Sequence, residues 1–183
     1  MLLKDYIPKI NKKFNNISFS GITFDSSKVK KNNIFFAIKG NKFDGNDYIQ
    51  AAIKKGAKVI VSEKKKIQKK EKILFIYSSN VRKLLAEVSY KIIKKTPKNL
   101  LAVTGTNGKS SIADFYFQIL DLNFKKVASI GTIGIRYANK KKVLDKTTLD
   151  PIQLSLILKN LRKKKIENVI MEASSHGLKQ NRL

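Results

Sequence analysis

Apolar residues in the first half of the chain fall into short blocks. Ile22-Thr23-Phe24 and Ile34 to Ile38, each bounded by polar, turn-forming residues, predict β-strands. Tyr48 to Lys55 predicts a short helix, with Gly56 at the position where helices end. Val59-Ile60-Val61 and Ile73 to Tyr77 read as two further strands. Val81, Leu84, Leu85, Val88, Ile92 and Ile93 recur at intervals of three and four, which places them on one face of a longer helix. Thr96-Pro97 ends that helix, because a residue before proline is pushed out of the helical region. A domain boundary is expected there.

The second half is more regular. Leu100 to Val103 has the composition of a buried strand, a glycine-containing turn follows, and Ser110 to Leu122 carries Ile112, Phe115, Ile119 and Leu120 at helical spacing. Val127 to Ile130 is a second strand, Pro151 to Lys163 a second helix and Val169-Ile170-Met171 a third strand. Strands alternating with helices predict a parallel sheet with helical crossovers. The fold class is therefore α/β throughout: a small N-terminal domain over 1–97, then a parallel-sheet domain from 98. No internal repeat or low-complexity linker interrupts the pattern.

Composition narrows the classes. A length of 183 residues with 42% apolar positions suits one or two domains with a real core. The absence of cysteine excludes a disulfide framework, a thiolate nucleophile and any cysteine-held metal. Met1 to Asn16 mixes lysine into its apolar residues and has no uninterrupted apolar run of signal-peptide length, and no stretch is long enough to span a bilayer. A soluble, cytoplasmic protein with no membrane partner is expected.

A formal charge of +26, from 39 Lys plus Arg against 13 Asp plus Glu, first suggests a nucleic-acid binder. Only four of those cations are arginine (Arg82, Arg136, Arg162 and Arg182), although planar recognition of phosphate and guanine favours arginine. The lysines are scattered, and they accompany many Ile, Asn and Phe residues, all encoded by A/T-rich codons. Base bias accounts for the excess, and Lys64-Lys65-Lys66 reads as a solvated face.

The most informative stretch is Val103-Thr104-Gly105-Thr106-Asn107-Gly108-Lys109-Ser110-Ser111, between a predicted strand and a predicted helix. Glycines there let backbone N–H groups turn toward a polyphosphate, and the helix that follows points its positive end at the same place. Lys109 can neutralise the outer phosphates, and the Ser110 hydroxyl can ligate the accompanying Mg²⁺. The full G-x-x-x-x-G-K-[ST] pattern is not met, since Val103 stands where its first glycine belongs. The flanking strand and amphipathic helix carry the reading of a P-loop ATPase domain.

Thr104 to Ser110, T-G-T-N-G-K-S, resembles the ATP loop of the Mur ligases and of folylpolyglutamate synthase. Asp25-Ser26-Ser27-Lys28-Val29, Ile34 to Gly40 and Asp44-Gly45 look like the uridine-nucleotide domain of muramyl ligases, which folylpolyglutamate synthase lacks. Thr147-Thr148 looks like the threonine pair that contacts the muramyl dipeptide. Met171 to Leu178, followed by Gln180 and Arg182, is similar to the M-E-x-S-S-H-G-L stretch of the tripeptide-forming branch.

This resemblance implies an ATP- and Mg²⁺-dependent amide ligase that joins a diamino acid, meso-diaminopimelate or L-lysine, to UDP-N-acetylmuramoyl-dipeptide. It implies that Phe24, Ser26 and the loop Asn41-Lys42-Phe43 hold the uridine end, the loop residues by position alone. Gly105, Thr106, Asn107, Gly108, Lys109, Ser110 and Ser111 hold ATP. Thr147, Thr148, Ser174, Gln180 and Arg182 contact the dipeptide. Glu172 shares Mg²⁺ with Ser110, and Lys109 and Glu172 are the catalytic residues. His176, the lone histidine, lines the site; a structural role is the plainer alternative.

Ser27 stands where the family usually has arginine, Lys31-Asn32 replaces a usual Pro-Gly, and Lys146 replaces Asn before the threonine pair. Family members have three domains, so the resemblance also implies a central domain that breaks off after three strands, a monomer inactive as a ligase by itself, and an aggregation-prone sheet edge. The alternative is a basic nucleic-acid-binding NTPase domain. The two separate on one measurement. The ligase reading expects ATP and a uridine nucleotide to bind and DNA or RNA not to bind at physiological salt; the alternative expects steeply salt-dependent nucleic-acid binding.

Overall fold

In the computed structural model the described residues are all except Lys9, Lys42, 66–72, Asn139, 144–148 and Leu183, with the Lys141 side chain also left aside. The chain forms two compact units, Met1–Ile92 and Ile93–Leu183.

The first unit is built on four strands, β1 (Gly21–Thr23), β2 (Asn33–Phe36), β3 (Ala57–Ser62) and β4 (Leu74–Tyr77), paired in that order and all parallel. Ile34, Phe35, Phe36, Val59, Ile60 and Val61 are wholly buried. Adjacent residues of a strand point to opposite faces, so both faces of this sheet are covered, and β2 and β3 read as unbroken apolar runs instead of alternating. On one face Phe35, Ala37 and Ile60 pack with Val29 and with Ile49 and Ala52 of helix α1 (Ile49–Lys54). Asn32 takes a left-handed conformation (φ 64°), as expected where it replaces glycine, and its N–H donates to the carbonyl of Gly56 at 2.8 Å. Helix α2 (Val81–Ile93) starts at Asn80, whose side chain accepts from the N–H of Lys83 at 2.8 Å; it buries Val81, Leu84, Leu85 and Val88.

The second unit corrects the all-parallel expectation. Strands β5 (Asn99–Val103), β6 (Val127–Gly131), β7 (Gly134–Tyr137), β8 (Lys140–Lys142) and β9 (Asn168–Glu172) lie in the order β5-β9-β6-β7-β8. β9 pairs in parallel with both β5 and β6, whereas β7 and β8 add an antiparallel meander beyond β6. β7 and β8 escaped prediction because Gly134–Tyr137 is short and Lys140–Lys142 has no apolar residue. The crossover helices are α3 (Lys109–Leu122) and α4 (Pro151–Lys163). Asp150 caps α4 by accepting from the N–H of Gln153 at 2.9 Å, and Pro151 occupies the first turn, where its missing N–H costs nothing. A short α5 (Ser175–Lys179) follows β9. No helix among the described residues is long and apolar enough to cross a membrane.

Burial on α3 also departs from the pattern reading. Ala113 and Phe117 are buried on the side that packs on β6 and β9, while Ile112, Phe115, Ile119 and Leu122 are 52–77% exposed. The edge strand β5 likewise leaves Leu100 and Leu101 about two-fifths exposed, whereas the opposite edge, β8, carries lysines, which discourage strand addition. An exposed apolar stripe beside an open strand drives association. The double change Phe115→Ser and Ile119→Ser is therefore expected to reduce concentration-dependent association in light scattering. The thermal midpoint should hardly move, because each side chain contributes at most about 0.5 kcal/mol at an exposed site.

Candidate functional site

In the second unit the candidate residues gather at the C-terminal ends of β5, β9 and β6, where open α/β sheets present their ligand crevices. Val103 and Glu172, the last residues of β5 and β9, are direct neighbours in the ladder. The turn that leaves β5 therefore starts beside the carboxylate that ends β9.

Thr104 to Gly108 are all solvent-exposed, and their backbone bends through two glycines of positive φ, Gly105 (151°) and Gly108 (78°). Gly108 is the residue from which α3 springs, and its carbonyl accepts the helix's first bond, from the N–H of Ile112 at 2.9 Å. The Lys109 ammonium folds back over this turn and donates to the carbonyls of Gly105 and Thr106, the latter at 3.2 Å. A cation thus closes a ring of backbone at the positive end of a helix. Such an arrangement is stable in the open and attracts anions.

Below the turn lies Glu172, only 5% exposed. Ser110 Oγ donates to its Oε2 at 2.9 Å, Thr132 Oγ1 donates to the same oxygen at 3.0 Å, and the Thr132 N–H donates to Oε1 at 3.1 Å. Thr132 and Ile133 form the two-residue turn between β6 and β7. Gly131 is required just before it, because a Cβ there would overlap the Glu172 carboxylate. A small crevice opens among Ser110, Asp114, Gly131, Arg136 and Glu172. The Arg136 guanidinium pairs with Asp114 and stacks 3.8 Å from the centroid of the Phe117 ring.

The donor set suits Mg²⁺. Among the described residues the donors to this buried carboxylate are neutral, so a compensating cation suits it, and Ser110 adds a hydroxyl oxygen beside it. Among the described residues no group of three or more His, Asp or Glu side chains could form a closed metal cage. Two protein oxygens are what an ion that keeps its waters and binds phosphate oxygens asks for.

The other described candidates of the second unit lie on or beside α5 and on the first turn of α3. Ser174 caps α5 by accepting from the Gly177 N–H at 3.0 Å. Gln180 and His176 share a hydrogen bond of 2.7 Å, which gives the exposed histidine a structural partner one helical turn away. Arg182 is half-buried, and Ser111 is exposed on the first turn of α3. Thr147 and Thr148 lie outside the described residues, as does Lys42. In the first unit, Phe24 and Ser26 follow β1, and Asn41 and exposed Phe43 lie on the loop after β2. Asp25 Oδ1 accepts from both the N–H and the hydroxyl of Ser27, at 2.8 and 2.7 Å. The side-chain bond from Ser27, together with its N–H and Lys28, holds the Asp25 carboxyl below its ordinary range. Ser27 is thus committed to its own turn. The turn residues Gly131 and Thr132 were not anticipated; the one signal for them was the G-T-I-G stretch after the second strand.

The fold and this site define an α/β protein of two units whose second unit presents an anion-attracting turn over a buried carboxylate. Two family models match it, one described as the catalytic domain of the Mur ligase family over residues 18–101 and one as the Mur ligase middle domain over 103–183. The chain belongs to the Mur ligase family. It is 41% identical over 178 residues to UDP-N-acetylmuramoyl-L-alanyl-D-glutamate-2,6-diaminopimelate ligase of Rickettsia typhi, covering 95% of this chain and 36% of that protein. The corresponding ligase of Buchnera aphidicola is also 41% identical, covering 90% and 35%. A solved structure of a ligase of that name superposes with a TM-score of 0.83 at 28% identity, over 100% of this chain and 38% of that one. The chain thus spans less than two-fifths of the length of the relatives it matches. A MurF ligase of Thermotoga maritima in complex with ADP shares the fold, with a TM-score of 0.55 at 21% identity.

The glycines at 131 and 108 are needed for different reasons, and substitution separates them. Gly131→Ala places a methyl group against a buried carboxylate and is expected to cost about 1–3 kcal/mol. Gly108→Ala meets open space but a left-handed backbone, costing roughly 1–2 kcal/mol. Urea unfolding of both variants measures the costs, and only Gly131→Ala should change the chemical shifts of Glu172.

Proposed function

We propose that this chain forms the uridine-nucleotide unit and the start of the ATP-binding unit of an amide ligase of cytoplasmic peptidoglycan synthesis, which joins a diamino acid to UDP-N-acetylmuramoyl-L-alanyl-D-glutamate. The diamino acid is taken as 2,6-diaminopimelate, the one in the names of the Rickettsia and Buchnera relatives. The observation that carries the reading is the Ser110–Glu172 hydrogen bond, which joins the start of α3 to the end of β9 beneath the Lys109 turn.

When bound, ATP with Mg²⁺ supplies the phosphoryl group that converts the D-glutamate carboxylate to an acyl phosphate, from which the incoming amine displaces phosphate. The chain's own groups position and neutralise. The Gly105 to Ser111 backbone is the phosphate loop; its N–H groups and the α3 terminus orient the polyphosphate. Lys109 exchanges the carbonyls of Gly105 and Thr106 for phosphate oxygens, and its charge offsets theirs. Ser110 and Glu172 hold Mg²⁺ through a hydroxyl and a carboxylate oxygen. No side chain has to form a covalent bond to substrate. Ser174, Gln180 and Arg182, with Thr147 and Thr148, are assigned to the dipeptide end, and Phe24, Ser26 and 41–43 to the uridine end.

Calorimetric titration of the 183-residue chain with ATP tests this. One site is expected, tighter with Mg²⁺ than with EDTA. Lys109→Ala should weaken binding about tenfold or more, the scale of a lost charge-assisted contact. Glu172→Gln should remove most of the Mg²⁺ effect and spare metal-free binding. An ATP affinity that is undetectable, or indifferent to Lys109→Ala, would falsify the assignment.

A further inference from the structure

We propose that Thr132, at the β6–β7 turn, is a positioning residue that holds Glu172 in the geometry Mg²⁺ requires; the inference rests on the nucleotide-site reading above. A carboxylate offers about four acceptor positions, and three on Glu172 are taken, one by Ser110 and two by Thr132. Among the described residues Thr132 is the one that engages both oxygens, through its N–H on Oε1 and its hydroxyl on Oε2. Two bonds from one residue fix the rotation of a carboxylate as well as its place.

The division of labour follows from which donor can move. Ser110 lies on the first turn of α3, and its oxygen is the one a cation would take. A single bond from Ser110 to one oxygen leaves the carboxylate free to rotate about it, so that bond cannot by itself keep a buried carboxylate aimed. The Thr132 contacts come from a different element, a tight turn whose flanking residues Gly131 and Gly134 pair across the hairpin. They are anchored by β6 and β7 and not by α3. Gly131 adds the steric half of the device, since its missing Cβ lets the carboxylate lie directly against the turn.

The side chain has little else to do. Thr132 is exposed on a two-residue turn, so its methyl group contributes little burial. Among the described residues the hydrogen bonds shown for it all go to Glu172. Thr132→Val keeps the N–H and the shape and removes only the hydroxyl. Thr132→Ser keeps the hydroxyl and removes the methyl group.

The test is ATP titration of the full chain in Mg²⁺ and in EDTA, on the wild type, Thr132→Val, Thr132→Ser and Thr132→Ala, with circular dichroism as a check on folding. Thr132→Val and Thr132→Ala are expected to lose about tenfold of the Mg²⁺-dependent gain in affinity, the scale of one hydrogen bond to a charged group. Their affinity in EDTA should match the wild type, and Thr132→Ser should restore the gain. Equal Mg²⁺ gains in the wild type and Thr132→Val overturn the proposal. So does a loss of equal size in Mg²⁺ and EDTA, which marks a structural role for the turn. Absence of ATP binding by the wild type is a separate result; it removes the nucleotide-site reading and this inference with it.

Discussion

A carboxylate buried at the end of a central strand has to be satisfied, and the second unit is arranged around that need. Glu172 ends β9, which lies between β5 and β6, so its side chain emerges where the turn after β5 and the turn after β6 converge. Leaving it without donors would cost several kilocalories per mole, and pairing it with an internal arginine would leave nothing for a ligand. Among the described residues two hydroxyls and one N–H donate to it, and no cationic side chain does. Arg136, on the same crevice, is kept from neutralising it by Asp114 and the Phe117 ring. In the proposed function that carboxylate serves the cation that accompanies the polyphosphate.

The two units solve the covering of a sheet differently. In the first, β2 and β3 are buried on both faces, and the polar residues gather in the loops that follow the strands. Asp25 and Asp44 each cap the short helical turn that follows them, and those bonds hold both carboxyls below their ordinary range, through Ser27 and Asn46 respectively. In the second unit the apolar residues are abundant but unevenly covered. β6 and β9 are enclosed, while β5 and the outer side of α3 remain open. Site geometry is set by the enclosed strands; the open surface is a separate feature of the same helix.

Much of this architecture is legible in the order of the amino acids. Apolar blocks locate nearly every strand of three or more apolar residues, and the positions spaced from Val81 to Ile93 all lie in α2, which stops at Ile93, before the expected end at Thr96-Pro97. The departures have identifiable causes. Periodicity shows that Ile112, Phe115 and Ile119 share a face, but helical spacing is the same whether that face meets a sheet or water, and Ala113 with Phe117 took the inner side. The β6–β7–β8 meander was hidden because a hairpin of Gly134–Tyr137 and Lys140–Lys142 has neither the length nor the alternation that marks a strand.

The sequence by itself determined the α/β class, the order of the main elements and the residue types of the Gly105–Ser111 turn, because propensity, spacing and glycine placement act within a few residues. Glu172 was also identifiable, through the resemblance of Met171 to Leu178 to a family motif. Only the tertiary structure decided that β9 inserts between β5 and β6, that Ser110 and Glu172, 62 residues apart, share a hydrogen bond, and that Thr132 joins them. These depend on strand order and on side chains brought together by burial, and no local pattern encodes which distant donor will meet a buried acceptor.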